Sequence, residues 1–273
     1  MKKYLVKSGL VLLGAGLVFS CATNPFTGKK NLNFVSNDQI FPAAFQQYNQ
    51  FLKENKVISG TADANRVTNV GQKIKSAAER YLNSIGQSKY LEGYAWEYKL
   101  VESKEVNAWC MPGGKIVVYS GILPITKDEA GLATVMGHEV AHALANHGAQ
   151  RMSAAQLQQV VGVGVAVAAG GQSESTQQII GQAYGLGSTV GVMLPFSRSH
   201  ESEADEIGLT LMAIAGYNPE QAIAFWERMS AKAGGNAPPE ILSTHPSDAT
   251  RIANIRKLIP KAKANAKKFG VNF

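Results

Sequence analysis

Cysteine is scarce in this 273-residue chain, which carries only Cys21 and Cys110. Two thiols exclude a disulfide-rich scaffold, a four-cysteine zinc finger and an iron–sulfur centre held by cysteine alone. Charge is sparse too, at 17% Asp, Glu, Lys and Arg, yet 45% of the residues are hydrophobic, which argues against a disordered chain. Long apolar runs are missing: none approaches the ~18 residues of a membrane-crossing helix, the pattern a polytopic membrane protein would repeat. What remains is the expectation of an enzyme-sized globular body. The net charge of +7 suggests nucleic acid or anionic lipid only until the charges are located.

Three of the lysines sit at the very start. Lys2, Lys3 and Lys7 precede the apolar run Ser8 to Phe19, the shape of a secretory signal, and Val18-Phe19-Ser20-Cys21 resembles a bacterial lipobox. Residues 1–20 are therefore expected to be a lipoprotein signal peptide and Cys21 the lipidated residue. Residues 21–37 are expected to form an anchor and tether, with turn signals at Asn24-Pro25 and Thr27-Gly28. Residues 38–273 are expected to form one catalytic body. The expected location is the bacterial envelope, lipid-anchored and periplasm-facing, with the outer membrane preferred because Ala22 follows the cysteine. Cleavage before Cys21 lowers the net charge to +4, so no nucleic-acid partner is expected. An acylated Cys21 cannot pair, which leaves Cys110 as the sole thiol.

Beyond the tether the hydrophobic spacing turns helical, through Phe41, Phe45, Tyr48 and Leu52, and again from Arg66 to Leu82 through Val67, Val70, Ile74, Ala77, Ala78 and Tyr81. Tyr94 to Val101, Val106 to Met111 and Lys115 to Tyr119 read as strands, the last two joined by the turn Pro112-Gly113-Gly114. The expected fold is α+β, mostly helical with a small antiparallel sheet. Thr126 and Glu129 form a capping-box pattern at the head of a helix running to about Asn146. Residues 154–194, rich in Ala, Gly, Gln and Val, are expected to be a buried helical hairpin or a flap. A further helix is expected from about His200 to Ala215, and Asn218-Pro219-Glu220 caps another. The lysines from Lys257 to Lys268 read as a solvated face or frayed tail.

The chemistry concentrates in His138-Glu139-Val140-Ala141-His142. Residues 138 and 142 are four apart, so on an α-helix both imidazoles project from one face and can bind one Zn²⁺. Glu139 lies about 100° around the helix, placed to act on a water molecule as general base rather than as a ligand. Leu132, Val135, Met136, Val140 and Ala143 mark this helix as buried, where an unsatisfied His or Glu would be costly. A catalytic zinc usually keeps three protein ligands. His147, five residues past His142, does not match the metzincin spacing and reads as structural. Glu201 and Asp205 share a face at i, i+4: Glu201 can bind zinc or simply favour its helix N-terminus, and Asp205 can accept a hydrogen bond from a ligand histidine. Glu203 points about 160° away from Glu201 and reads as a surface charge, and His200 faces elsewhere.

Five separated motifs, in order, carry a resemblance. They are Cys21 with Asn24-Pro25-Phe26-Thr27-Gly28, Asn107-Ala108-Trp109 with Pro112-Gly113-Gly114, His138 to His142, Ser197 to Asp205, and Thr244-His245-Pro246-Ser247. Together they resemble an M48-family zinc metalloprotease, and more narrowly its periplasmic lipoprotein branch. The resemblance implies a zincin-like fold, one zinc per chain on His138, His142 and Glu201, and Asp205 supporting a ligand histidine. It implies that Asn107 and His245 flank the scissile carbonyl, where their donors would act as an oxyanion hole. His245 could alternatively occupy the open zinc position without substrate. The function implied is endopeptidase cleavage of unfolded or misassembled envelope proteins, presented as extended segments. The alternative is a chaperone-like assembly factor whose hydrolysis is secondary.

Overall fold

The computed structural model describes residues 21–33, 36–154, 197–233, 241–242, 245 and 249–273. The expected signal peptide lies outside the described residues, as do all but the first residue of the expected flap and Thr244, Pro246 and Ser247. The chain divides into two compact units, Met1–Ser36 with Gly148–Gly191, and Asn37–His147 with Val192–Phe273.

In the first unit, the stretch expected as a tether folds into an antiparallel hairpin. Strand β1 (Cys21–Thr23) pairs with β2 (Lys30–Leu32), with Cys21 opposite Leu32. The intervening turn closes on Asn24. Its N–H donates to Lys29 O and its carbonyl accepts from the Gly28 N–H, both at 2.8 Å, while Oδ1 accepts from the Phe26 N–H. Gly28 supplies the left-handed φ of +72° that this tight reversal needs.

The second unit runs α1 (Asn37–Glu54), β3 (Val57–Ile58), α2 (Ala62–Ser84), β4 (Glu97–Val101), β5 (Ala108–Met111), β6 (Lys115–Tyr119), α3 (Glu129–Leu144), α4 (Arg198–Ile214), α5 (Gln221–Ala233) and α6 (Ala249–Lys267). Its sheet order is β3-β4-β6-β5, so among the described residues β5 is an edge strand. The expected hairpin is β5 against β6, with Ala108 opposite Val118. The β4–β6 pairing is parallel, because β5 turns back on the far side of β6 and leaves its inner edge to β4.

The stripes read in the sequence are buried in large part: Phe41 and Tyr48 on α1 are buried while Phe45 and Leu52 are half-buried, Ala44 and Phe51 completing the inner face, and on α2 Tyr81 alone of the apolar residues read is half-buried. Phe41, Ala44, Tyr48 and Phe51 face inward from α1, and the Phe51 ring meets Trp109 edge-on at 5.0 Å and stacks on Tyr119 at 6.1 Å. Val67, Val70, Ile74, Ala77, Ala78 and Leu82 do the same for α2. On α6, Ile255, Ile259, Ala262 and Ala266 are buried, while Lys261 and Lys263 reach Glu206 and Glu220, so the basic stretch is the solvated face of a docked helix. No helix among the described residues is long and apolar enough to cross a membrane.

Helix α3 is buried on every side from Gly131 to Leu144, as expected for a helix in the middle of a fold. Its cap is Asp128, whose Oδ1 accepts from the Gly131 N–H at 2.9 Å, and not Thr126. Thr126 instead ends a separate helical turn, Leu123–Thr126, and its hydroxyl donates back to Leu123 O at 3.0 Å. Lys127, at φ 64°, breaks the chain between the two. At the far end the Tyr90 hydroxyl donates to Leu144 O (2.6 Å), and the Tyr94 hydroxyl donates to Ala143 O (3.3 Å), which also accepts from the Asn146 N–H (3.1 Å).

Against α3 lies α4, capped by Ser197, whose Oγ accepts from the His200 N–H at 3.2 Å. The two backbones approach closely at Gly137 and Gly208: a Cβ on Gly208 would sit 2.9 Å from His138 N and 3.0 Å from Gly137 C. This crossing sets the second face of the site, because Glu201 and Asp205 lie two turns and one turn before Gly208 on α4.

Candidate metal centre

His138, Glu139 and His142 of α3, Glu201 of α4 and His245 meet in the interior, each no more than 6% exposed. The Nε2 atoms of His138 and His142 are 3.1 Å apart. Glu201 brings Oε1 to 3.3 Å from His142 Nε2 and Oε2 to 3.4 Å from His138 Nε2. His245 Nδ1 stands 2.9 Å from Glu201 Oε1 and 3.2 Å from His138 Nε2. One donor atom from each of His138, His142, Glu201 and His245 lies within 4.8 Å of the others. Bonds of about 2.0–2.2 Å in a tetrahedron place neighbouring ligand atoms about 3.4 Å apart, close to these spacings.

Chemistry also points to a cation here. Facing imidazole lone pairs repel at 3.1 Å unless a proton or a metal lies between them. Glu201 Oε2 and Glu139 Oε1 are buried and make no hydrogen bond, although Arg251 Nη1 is 3.1 Å from the former and His245 Nε2 is 3.6 Å from the latter. A buried carboxylate oxygen without a hydrogen bond is costly and calls for a partner. Nitrogen and carboxylate oxygen in fourfold array suit zinc.

The expected partners surround this cluster, with others that the sequence reading missed. Asp205 Oδ1 lies 3.0 Å from His138 Nδ1. Arg251 forks onto Asp205, Nε to Oδ2 at 2.9 Å and Nη2 to Oδ1 at 2.7 Å, and its guanidinium lies 3.7 Å from the Trp226 ring centre. Arg251 was legible: it falls four and eight residues before Ile255 and Ile259 on the buried stripe of α6, where a cation must be paired. On the other side of the cluster, His142 Nδ1 is 2.9 Å from His147 Nδ1, and His147 Nε2 is 3.5 Å from Glu203 Oε2. Glu203 is therefore not the expected surface charge. It is 2% exposed, because α4 is covered nearly all round and opposite faces of it are equally interior. His200 stacks on His147 with ring centres 4.3 Å apart.

Asn107 stands outside the four-residue cluster, immediately before β5. Its Oδ1 accepts from the Ala108 N–H at 2.8 Å and its carbonyl accepts from the Tyr119 N–H at 3.1 Å. Cys110, in β5, is a free thiol. Cys21 opens β1 in the other unit.

Electrostatics distinguish the two histidines of α3. Burial and the Arg251 guanidinium work against a charged His138, but the Asp205 and Glu201 carboxylates outweigh them and raise its pKa to about 9. Burial drives His142 well below the usual histidine range, against the pull of Glu201. Burial also raises the Glu139 carboxyl, a shift that His245 and His138 only partly offset. Glu201 and Asp205 stay low despite burial, the first through His138 and the second through Arg251 and His138.

A buried helix presenting two histidines and a glutamate, crossed by a second that brings a carboxylate to the same point, above a small sheet, defines a zincin-like α+β fold. The sequence model of Peptidase family M48 matches residues 69–259. The chain belongs to this family of zinc metalloproteases.

Among curated relatives, the mitochondrial metalloendopeptidase OMA1 of Saccharomyces cerevisiae is 35% identical over 204 residues, 72% of this chain and 56% of the relative. The Arabidopsis thaliana OMA1 is 39% identical over 184 residues, 66% and 35% of the two chains. The beta-barrel assembly-enhancing protease of Escherichia coli K12 is 30% identical over 189 residues, 65% and 38%. The chain spans about half the length, or less, of the curated relatives it matches. These findings correct the expected localisation. Matched relatives in yeasts, a plant and cattle are mitochondrial, so the envelope and outer-membrane placement does not stand. The physical reason is that a catalytic fold carries no address of its own, and the same centre is placed in different compartments.

Proposed function

We propose that this chain is a zinc-dependent metalloendopeptidase acting on extended segments of unfolded or misassembled proteins. The observation that carries the reading is the buried convergence of His138, His142 and Glu201 with Glu139 beside them. His138, His142 and Glu201 are the residues that would hold zinc. When bound, zinc supplies a Lewis acid that activates water and polarises the scissile carbonyl. Glu139 takes a proton from the attacking water at its carboxylate and passes it to the leaving amine, a task suited to a carboxyl raised above its ordinary range by burial. Asp205, itself gripped by Arg251, holds the His138 ring in register. Asn107, through its amide N–H groups, and His245, once it leaves its place beside Glu201, donate to the oxyanion of the tetrahedral intermediate. In this reading the placement of His245 beside Glu201 is the resting, self-inhibited one.

Substrate recognition follows from the edge position of β5, whose outer backbone groups can pair with an extended peptide irrespective of its sequence. The printed name of the E. coli relative, a beta-barrel assembly-enhancing protease, favours a second reading, an assembly factor whose hydrolysis is secondary. One substitution tests both. Glu139→Gln is expected to retain one zinc per chain and lose cleavage of an unfolded protein such as casein, and undiminished cleavage refutes the catalytic role. Complementation of a deletion strain by Glu139→Gln would favour the assembly reading.

A further inference from the structure

We infer that His147 and Glu203 are positioning residues for the metal site: together with His142 they form a directed hydrogen-bond relay that fixes which nitrogen of His142 faces the metal. The inference rests on the reading of His142 as a zinc ligand and extends it to residues that coordinate nothing. The two Nδ1 atoms are 2.9 Å apart, so one carries the proton and the other accepts it. A zinc-bound His142 uses Nε2, the atom turned toward His138 and Glu201, and must therefore be protonated at Nδ1. His147 Nδ1 is then the acceptor, and a neutral His147 carries its proton on Nε2. That nitrogen faces Glu203 Oε2 at 3.5 Å, and a carboxylate there accepts. Every proton in the series Glu203, His147, His142 is assigned by this logic.

The relay sits where solvent cannot substitute for it. His147 is 0% exposed and Glu203 2%, and His200 stacks flat on the His147 ring, which limits its rotation. The two ligand histidines are thus supported differently. His138 meets the Asp205 carboxylate directly, whereas His142 meets a carboxylate through an intervening imidazole. Partners of this kind are worth about 10- to 100-fold in metal affinity.

The experiment measures zinc affinity of the full chain by competition with a chelator, for the native protein, His147→Asn and His147→Leu. Asn presents Oδ1 near the position of Nδ1 and can still accept from His142, whereas Leu fills the space and accepts nothing. The relay requires that Leu lose about 10- to 100-fold in affinity and that Asn retain most of it. A packing role requires the reverse, since Leu matches the volume of His better than Asn does, and that order overturns the inference. Nitrogen-15 NMR of histidine-labelled, zinc-loaded native protein gives an answer that does not depend on a variant folding. His147 protonated at Nε2 supports the relay, and His147 protonated at Nδ1 overturns it. If the native chain binds no zinc, the metal-site reading itself has failed, an outcome distinct from both.

Discussion

Gly208→Ala tests whether the metal centre depends on how closely α3 and α4 cross, using a residue that touches neither metal nor substrate. The added Cβ would stand 2.9 Å from His138 N, 3.0 Å from Gly137 C and 3.1 Å from Gly137 O. All three are backbone atoms of a helix buried on every side, so no side chain can swing away to relieve the contact. Reaching an ordinary separation of about 3.6 Å requires the helices to part by about 0.7 Å. Overpacking of this kind costs about 1–3 kcal/mol, and backbone against backbone belongs at the upper end. Alanine recovers about 1 kcal/mol in helix propensity, leaving a net loss near 2 kcal/mol, or about 4–8 °C in melting temperature. The same displacement moves Glu201 away from His138 and His142 by more than the ~0.5 Å that a preorganised site tolerates. Zinc affinity should therefore fall by at least about tenfold, which calorimetric melting with and without zinc, together with chelator competition, would read. Native stability in the variant would refute the packing argument. Lost stability with native zinc affinity would refute the link between the crossing and the site.

Two other perturbations probe the supporting layer and the N-terminal end of α3. Arg251→Met removes the guanidinium that forks onto Asp205 and borders Glu201, leaving buried carboxylates uncompensated; a loss of about 3–5 kcal/mol is expected in urea unfolding of metal-free protein, and a loss below about 1 kcal/mol would contradict this. Tyr217→Phe removes the hydroxyl that donates to Glu129 Oε2 at 2.8 Å and, with Lys73, lowers that carboxyl below its ordinary value of 4.5. A lowered carboxyl adds stability that is present above pH 4.5 and is lost as pH falls through the folded-state value. The Tyr217→Phe deficit should thus be visible at neutral pH, under about 1 kcal/mol because Glu129 is 43% exposed, and should close in acid. Equal deficits in unfolding midpoints at neutral and acid pH would count against the assignment.

Much of the fold was legible because helical periodicity survives in any context. Phe41, Tyr48, Val67, Val70, Ile74 and Leu82 are buried where their spacing put them. The cap of α3 was misread because Thr126 and Asp128 are both good capping residues two positions apart, and only the helical turn before them decides which is used. The hairpin of residues 21–32 was read as a tether because three-residue strands are too short to show alternation. Glu203 was assigned to solvent by a helical wheel, which ranks faces relative to one another and is silent on how many of them are covered.

The sequence alone determined what a single helix can express: His138 and His142 on one face, Glu139 beside them, Glu201 and Asp205 one turn apart on another helix, and the family motifs around them. Spacing along one helix is a local property and needs no partner to be read. Only the tertiary structure decided that Gly137 and Gly208 bring the two backbones together, that Arg251 holds Asp205, and that His147 and Glu203 line up behind His142. These contacts join residues as many as 71 positions apart, and burial and pairing across such distances are set by how helices pack rather than by what each one contains.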